Sequence, residues 1–229
     1  MLGCTLRVMG TSNATYQWIR YNADGTEELV GGATRQQYAP EPRDLGKKLV
    51  CSVTTSPGDP PHLVSTLAVV SDMEGLSALV EAAAAKESYE FNCVVVQRNG
   101  EMQDRREVHQ LEVLHDRVKL KRQGKTRYKE SYSDAMQVCG ARGGGDAAAQ
   151  GLFLALSPSL VFMLACESAK QRNAAILLIR RRAAERNTVV LGPKDGALAW
   201  RRMPDCAALT PRSPVPDAAT KPALLDKVA

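Results

Sequence analysis

Between Arg117 and Lys129 the chain reads RVKLKRQGKTRYK, seven basic residues with no acidic one among them. Arg117, Lys119 and Lys121 alternate with Val118 and Leu120; Lys125, Arg127 and Lys129 alternate with Thr126 and Tyr128. Two is the period of a strand, so the stretch predicts a hairpin with cations on one face and apolar side chains on the other. Gln123-Gly124 supplies the turn. A concentrated surface of one sign attracts polyanions such as phosphoinositide headgroups, acidic filament surfaces or nucleic acid. Charge alone equally allows a solvated strand face. Arg98, Arg105 and Arg106 add cations upstream, interleaved with Glu101, Asp104 and Glu107.

Other reactive groups are thinly spread. His62, His109 and His115 are the only histidines, and no spacing ties one to Cys93 or Cys139 as a thiol-imidazole pair, so an enzyme is not expected. Gly143-Gly144-Gly145 lacks the Gly-Lys-Ser/Thr ending of a phosphate loop and reads as an inter-strand connection. In Arg180-Arg181-Arg182 at most two residues share a helix face, which reads as a solvated face. The six cysteines are scattered without a CxxC pair, which excludes ordinary zinc spacing and predicts reduced thiols. Neither metal nor cofactor is expected.

The chain has 229 residues, enough for two modest cores, with 44% hydrophobic and 24% charged residues. Its net charge of +5 is moderate and locally concentrated, so no nucleic-acid partner is expected. No run approaches the roughly 18 to 20 apolar residues of a membrane span, and the N-terminus lacks a secretory pattern, which predicts a cytoplasmic protein.

Three composition shifts divide the chain. Residues 1–70 hold short β-rich runs between Gly- and Pro-containing turns. Residues 71–88 predict a linker helix, with a capping box at Ser71 and Glu74 and an apolar face of Leu76, Leu79, Val80 and Ala83. Residues 89–196 predict seven strands (91–97, 108–114, 117–122, 126–132, 135–140, 152–156 and 160–166). A final helix follows over 167–186, with a capping box at Ser168 and Gln171 and a stripe of Ile176, Ile179 and Ala183. Residues 197–229 are Pro- and Ala-rich and read as a flexible tail.

In the first unit Cys4, Trp18 and Cys51 have the spacing of strands B, C and F in an immunoglobulin-like sandwich, with Asp44-Leu45-Gly46 turning into the last strand. Leu49 stands where the tyrosine corner would be, and the sequence starts directly on the expected strand B, so either strand A is missing or the chain is a piece of something longer. Two small core cysteines are the favoured reading over a disulfide. Seven antiparallel strands closed by one helix resemble a pleckstrin-homology (PH) barrel. The fold class is therefore mainly β, a sandwich joined by a short helix to a helix-capped barrel. That resemblance implies a headgroup site around the loop between the barrel's first two strands. Here the loop is laced with acids, and Glu112 occupies strand two where a cation is wanted. The candidate residues for weak inositol phosphate or acidic-partner binding are Arg98, Arg105, Arg106, Lys119, Lys121 and Arg122.

The segments YQWIRYNADGTEELVGGAT, YAPEPRDLGKKL, SYSDAMQVCGARGGGDAAAQ and CESAKQRNAAILLIRRRAAERNTVVLGPKD together resemble the C-terminal half of the plant stomatal closure-related actin-binding proteins. The resemblance implies an actin-filament-associated cytoskeletal module whose PH unit binds inositol phosphates or phosphoinositides weakly. It also implies that the main actin-binding segment and a dimerising coiled coil lie upstream; no heptad run occurs in these 229 residues. A phosphoinositide-dependent membrane adaptor without intrinsic actin binding is the alternative.

Overall fold

A computed structural model describes residues 2, 6–9, 13–66, 68–103, 107–142 and 146–192. The first unit contains β1 (Leu6–Arg7), β2 (Thr15–Tyr21), β3 (Glu27–Leu29), β4 (Gln37–Tyr38), a 3-10 turn at Pro42–Asp44, β5 (Lys48–Thr54) and β6 (His62–Ser65). A four-stranded sheet of order β3-β2-β5-β6 faces the short pair β1-β4. Trp18 sits opposite Cys51 in the β2–β5 register, and both are buried. The indole stacks on Tyr38 with ring centroids 5.6 Å apart and donates from Nε1 to the Arg35 carbonyl at 2.8 Å. A large ring that satisfies its one polar group can occupy mid-core without penalty, which is why tryptophan suits this position. The possible partner Cys4 lies outside the described residues. Gly46, with φ 73°, makes the left-handed turn into β5.

Helix α1 (Leu76–Ala84) buries Leu76, Val80 and Ala83, the predicted apolar face. The predicted capping box does not form. The helix starts at Leu76, several residues beyond the reach of Ser71, and Gly75 is the N-cap in a left-handed conformation (φ 69°). Asp72 instead accepts from the Met73 amide at 2.7 Å and the Ser77 hydroxyl at 3.0 Å.

The second unit contains β7 (Ser88–Arg98), β8 (Glu101–Met102), β9 (Val108–Leu114), β10 (Arg117–Arg122), β11 (Lys125–Ser131), β12 (Gln137–Gly140), α2 (Asp146–Gln150), β13 (Gly151–Ser157), β14 (Leu160–Cys166) and α3 (Ala169–Ala184). The antiparallel order is β11-β10-β9-β7-β14-β13-β12, with β8 extending β7. Because β7 pairs with both β9 and β14, the first and last long strands join the two halves of the barrel. Inward residues such as Phe91, Leu111, Leu120, Leu154 and Leu164 fill it, and Ile176, Ile179 and Ala183 of α3 close it, all fully or almost fully buried. Ser168 accepts from the Gln171 amide at 3.2 Å, so half of the second predicted capping box is made. The strand expected from residue 135 begins at Gln137, because Met136 already turns into the core. The short α2 has no counterpart in the sequence reading.

The arginine triplet is not a solvated face. Arg182 is 2% exposed and donates to the carbonyls of Ala84 and Lys86, both at 2.7 Å. These are carbonyls at the end of α1 that have no partner within that helix. Arg181 pairs with Glu81 of α1 at 2.6 Å, and Arg180 donates to the Val138 carbonyl at 2.9 Å. The planar five-donor guanidinium can bridge elements in this way where a lysine could not. Helix α1 is therefore packed along α3.

Candidate functional site

The basic hairpin forms, and β10 follows its alternation; on β11 a register shift breaks it, so Lys125, Arg127 and Lys129 do not share one face as expected. Val118 and Leu120 are fully buried, so Arg117, Lys119 and Lys121 face outward. Gln123 and Gly124 have φ of 51° and 72°, the paired left-handed conformations of a type I′ turn. Opposite β10 the register skips Arg127, since Leu120 pairs with Tyr128 and Lys121 with Thr126. This bulge places Arg127 at the mouth of the barrel.

The cations of β10 are matched internally. Lys119 Nζ lies 3.3 Å from Glu112 Oε2, and Lys121 Nζ lies 3.0 Å from Glu112 Oε1 and 2.7 Å from Glu90 Oε1. Arg117 pairs with Asp116 and Arg122 with Glu107. Burial alone would raise the Glu112 carboxyl, but Lys121 and Lys119 outweigh it and hold the group below its ordinary value. The acid that interrupts the headgroup pattern in sequence is thus the anchor of two lysines.

Arg98, Arg122 and Arg127 line an open cavity of 480 Å³ together with Glu107, His109 and Tyr128. Arg98 Nη1 donates to the Tyr128 hydroxyl at 2.6 Å. The six predicted residues therefore divide. Arg98 and Arg122 share the mouth, Lys119 and Lys121 stand on the outer sheet face, and Arg105 and Arg106 lie outside the described residues. Arg127, part of the basic run but not among those six, completes the mouth.

A second charge cluster was invisible in the sequence. It lies where the two units meet. Glu41, 1% exposed, accepts from Arg142 Nη2 at 2.7 Å, from Arg20 Nη2 at 3.0 Å and from the Gly140 amide at 2.7 Å. Arg20 Nε also pairs with Asp44, whose other oxygen accepts from the Tyr38 hydroxyl at 2.8 Å. Arg142 Nη1 donates to that same hydroxyl at 3.3 Å, and Arg172 of α3 donates to the Pro40 carbonyl at 2.8 Å. Burial would raise the Glu41 carboxyl, yet Arg142, Arg20 and Arg180, with the Gly140 amide, hold it far below the carboxylate range. Its members run from Arg20 to Arg172 with no repeating interval, so no spacing pattern could announce it. This cluster fixes structure; its groups face one another rather than a ligand.

The four described cysteines are all buried. Cys93 does sit across from His109 in the β7–β9 register. Burial pushes its thiol well up, as it does Cys166, to about 12, and Cys51, to about 11, so the nucleophilic thiolate is suppressed. Among the described residues no group of three or more His, Cys, Asp or Glu is placed to hold a metal ion. Among them, too, no helix is long and apolar enough to cross a membrane.

Comparison with known proteins supplies the family. Residues 1–85 match the model of the Ig domain of plant-specific actin-binding protein, and residues 88–195 match the PH domain of the same proteins. Stomatal closure-related actin-binding protein 1 of Arabidopsis thaliana is 41% identical over 202 residues, covering 85% of this chain and 40% of that protein. Proteins 2 and 3 of the same name and organism are 34% identical over 202 residues and 36% identical over 185, covering 40% and 37% of their own lengths. The chain thus spans well under half the length of these relatives. With both units matched in order and the sandwich and barrel in place, the chain belongs to the stomatal closure-related actin-binding protein family, of which it carries the immunoglobulin and PH domains.

Proposed function

We propose that this chain is the immunoglobulin-PH module of an actin-filament-associated protein, acting in filament organisation and stabilisation, as in stomatal closure. The observation that carries the reading is the match of both units, in order, to domains of proteins named for actin binding. The buried cluster around Glu41 supports it, because units held by one charge network present a fixed surface to an extended partner. In this reading the PH unit adds weak contact with inositol phosphates or phosphoinositides at the mouth, through Arg98 and Arg122 with Arg127; Arg105 and Arg106, outside the described residues, belong to the same proposal by sequence alone. Lys119 and Lys121 contribute long-range attraction only, since Glu112 and Glu90 already compensate them. The cytoskeleton is the corresponding location.

Co-sedimentation with actin filaments across a salt series tests the reading. The chain should pellet at low salt and be released as salt screens the charges. No pelleting at low salt would remove direct filament binding by this module. Flotation with phosphoinositide-containing liposomes in its place would favour the membrane-adaptor alternative, for which the open mouth lined by Arg98, Arg122 and Arg127 is the specific support.

A further inference from the structure

We propose that the free edge of β11 accepts an extended acidic polypeptide segment as an added strand. Three observations carry this. The first is topology: among the described residues β11 ends the sheet path, hydrogen-bonded to β10 on one side only. Nearly every residue along it is exposed. The unpaired edge, though interrupted by the bulge at Arg127, offers backbone donors and acceptors on either side of it to an incoming strand.

The second observation is the row of charges that runs across the outer face to this edge. Glu90 of β7 sits opposite Glu112 of β9, Glu112 opposite Lys119 of β10, and Lys119 opposite Lys129 of β11. Two acidic columns are followed by two basic ones. Lys119 finds its carboxylate in Glu112, and the row then stops at Lys129. Like charges directly opposite one another destabilise a sheet unless a counter-charge lies alongside. The position that would hold it is the next strand outward, which none of the described residues provides.

The third is that the hairpin's two strands differ in pairing. Arg117, Lys119, Lys121 and Arg122 of β10 all have carboxylate partners. The ion pairs among the described residues include none of Lys125, Arg127 or Lys129 of β11. Glu130 is exposed on the same strand but sits opposite inward-facing Val118, on the other side from Lys129. The surplus positive charge therefore lies on the edge that is open to backbone pairing. Charge and hydrogen-bonding capacity together specify an acidic, extended main chain. A compact polyphosphate would satisfy the charge and leave the backbone row unused. The proposal goes beyond the filament reading and does not depend on it.

The test uses the whole chain and a fluorescent heptapeptide alternating Glu with Val, read by anisotropy at low salt. A second peptide of the same sequence carries N-methyl groups at alternate amides and so keeps the charge while losing strand pairing. The unmodified peptide should bind at least about tenfold more tightly than the methylated one, and Lys129→Glu should weaken it by a similar factor. Amides of β11 should gain hydrogen-exchange protection on binding. Lys129→Thr, a milder change at an exposed site, should fall between wild type and Lys129→Glu. Equal binding of both peptides, with displacement by inositol hexakisphosphate, would assign the edge to polyanions at large and overturn strand addition. So would no binding at all, which would make the lysines a guard against edge-to-edge aggregation. No actin is present, so neither failure bears on co-sedimentation.

Discussion

Arg20 and Arg142 at the junction of the two units, and Lys119 and Lys121 on the hairpin, carry the same charge and pair with the same kind of group. Their surroundings make them different devices. At the junction Glu41 is shut from water and held by two guanidiniums and a backbone amide, so each partner depends on the others. A buried ion pair adds little over a well-packed apolar substitute, but removing one member strands the rest without solvent. On the hairpin the lysines reach Glu112 and Glu90 across a face that water can enter, where screening leaves little of each pair's attraction. Burial turns charge into architecture, and exposure leaves it available for contact.

The contrast is broken most forcefully at Glu41. Glu41→Ala should cost about 3–5 kcal/mol in urea unfolding, because Arg20 and Arg142 lose their shared carboxylate in a closed site. Next in size is Gly140→Ala. A Cβ there would clash with Arg172 Nη1 and stand 3.3 Å from Glu41 Cβ, so the guanidinium must move away from the seam. About 1–3 kcal/mol of stability should be lost, again by urea unfolding.

Acid should expose the same asymmetry. The folded-state pKa of Glu41 lies below its ordinary value of 4.5, so its stabilisation is fully present above that value and is lost as pH falls below it. Thermal melts should show a steep loss of stability in this range that Glu41→Gln flattens. The smallest effect belongs to the hairpin. Lys119→Ala or Lys121→Ala should change stability by no more than about 1 kcal/mol, while affecting any acidic partner more at low salt than at high. A stability loss as large as that of Glu41→Ala would erase the distinction between the two regions.

Local pattern made much of the fold readable. The alternation in RVKLKR, the turn at Gln123-Gly124 and the stripe of Ile176, Ile179 and Ala183 each depend on neighbours a few residues apart, and each appears where expected. Trp18 between two cysteines was legible because a large ring at mid-strand demands a sandwich around it. What failed was set at long range. Helix α1 starts at Leu76 behind a left-handed Gly75 with no side-chain cap, so Ser71 is left outside it, and Arg182 is buried because α1 ends beside it. Glu112 looked like a lost binding residue because strand register, which brings Lys119 and Lys121 beside it, is not written in its own neighbourhood. The Glu41 cluster joins residues of both units and has no local signature at all.

One buried charge network around Glu41 ties the two units together. Hydrogen exchange on the intact chain, comparing wild type with Glu41→Gln, tests it most directly. Exchange should accelerate together in β2 and β5 of the first unit and in β12 and α3 of the second. Acceleration confined to the first unit, with β12 and α3 unchanged, would contradict it.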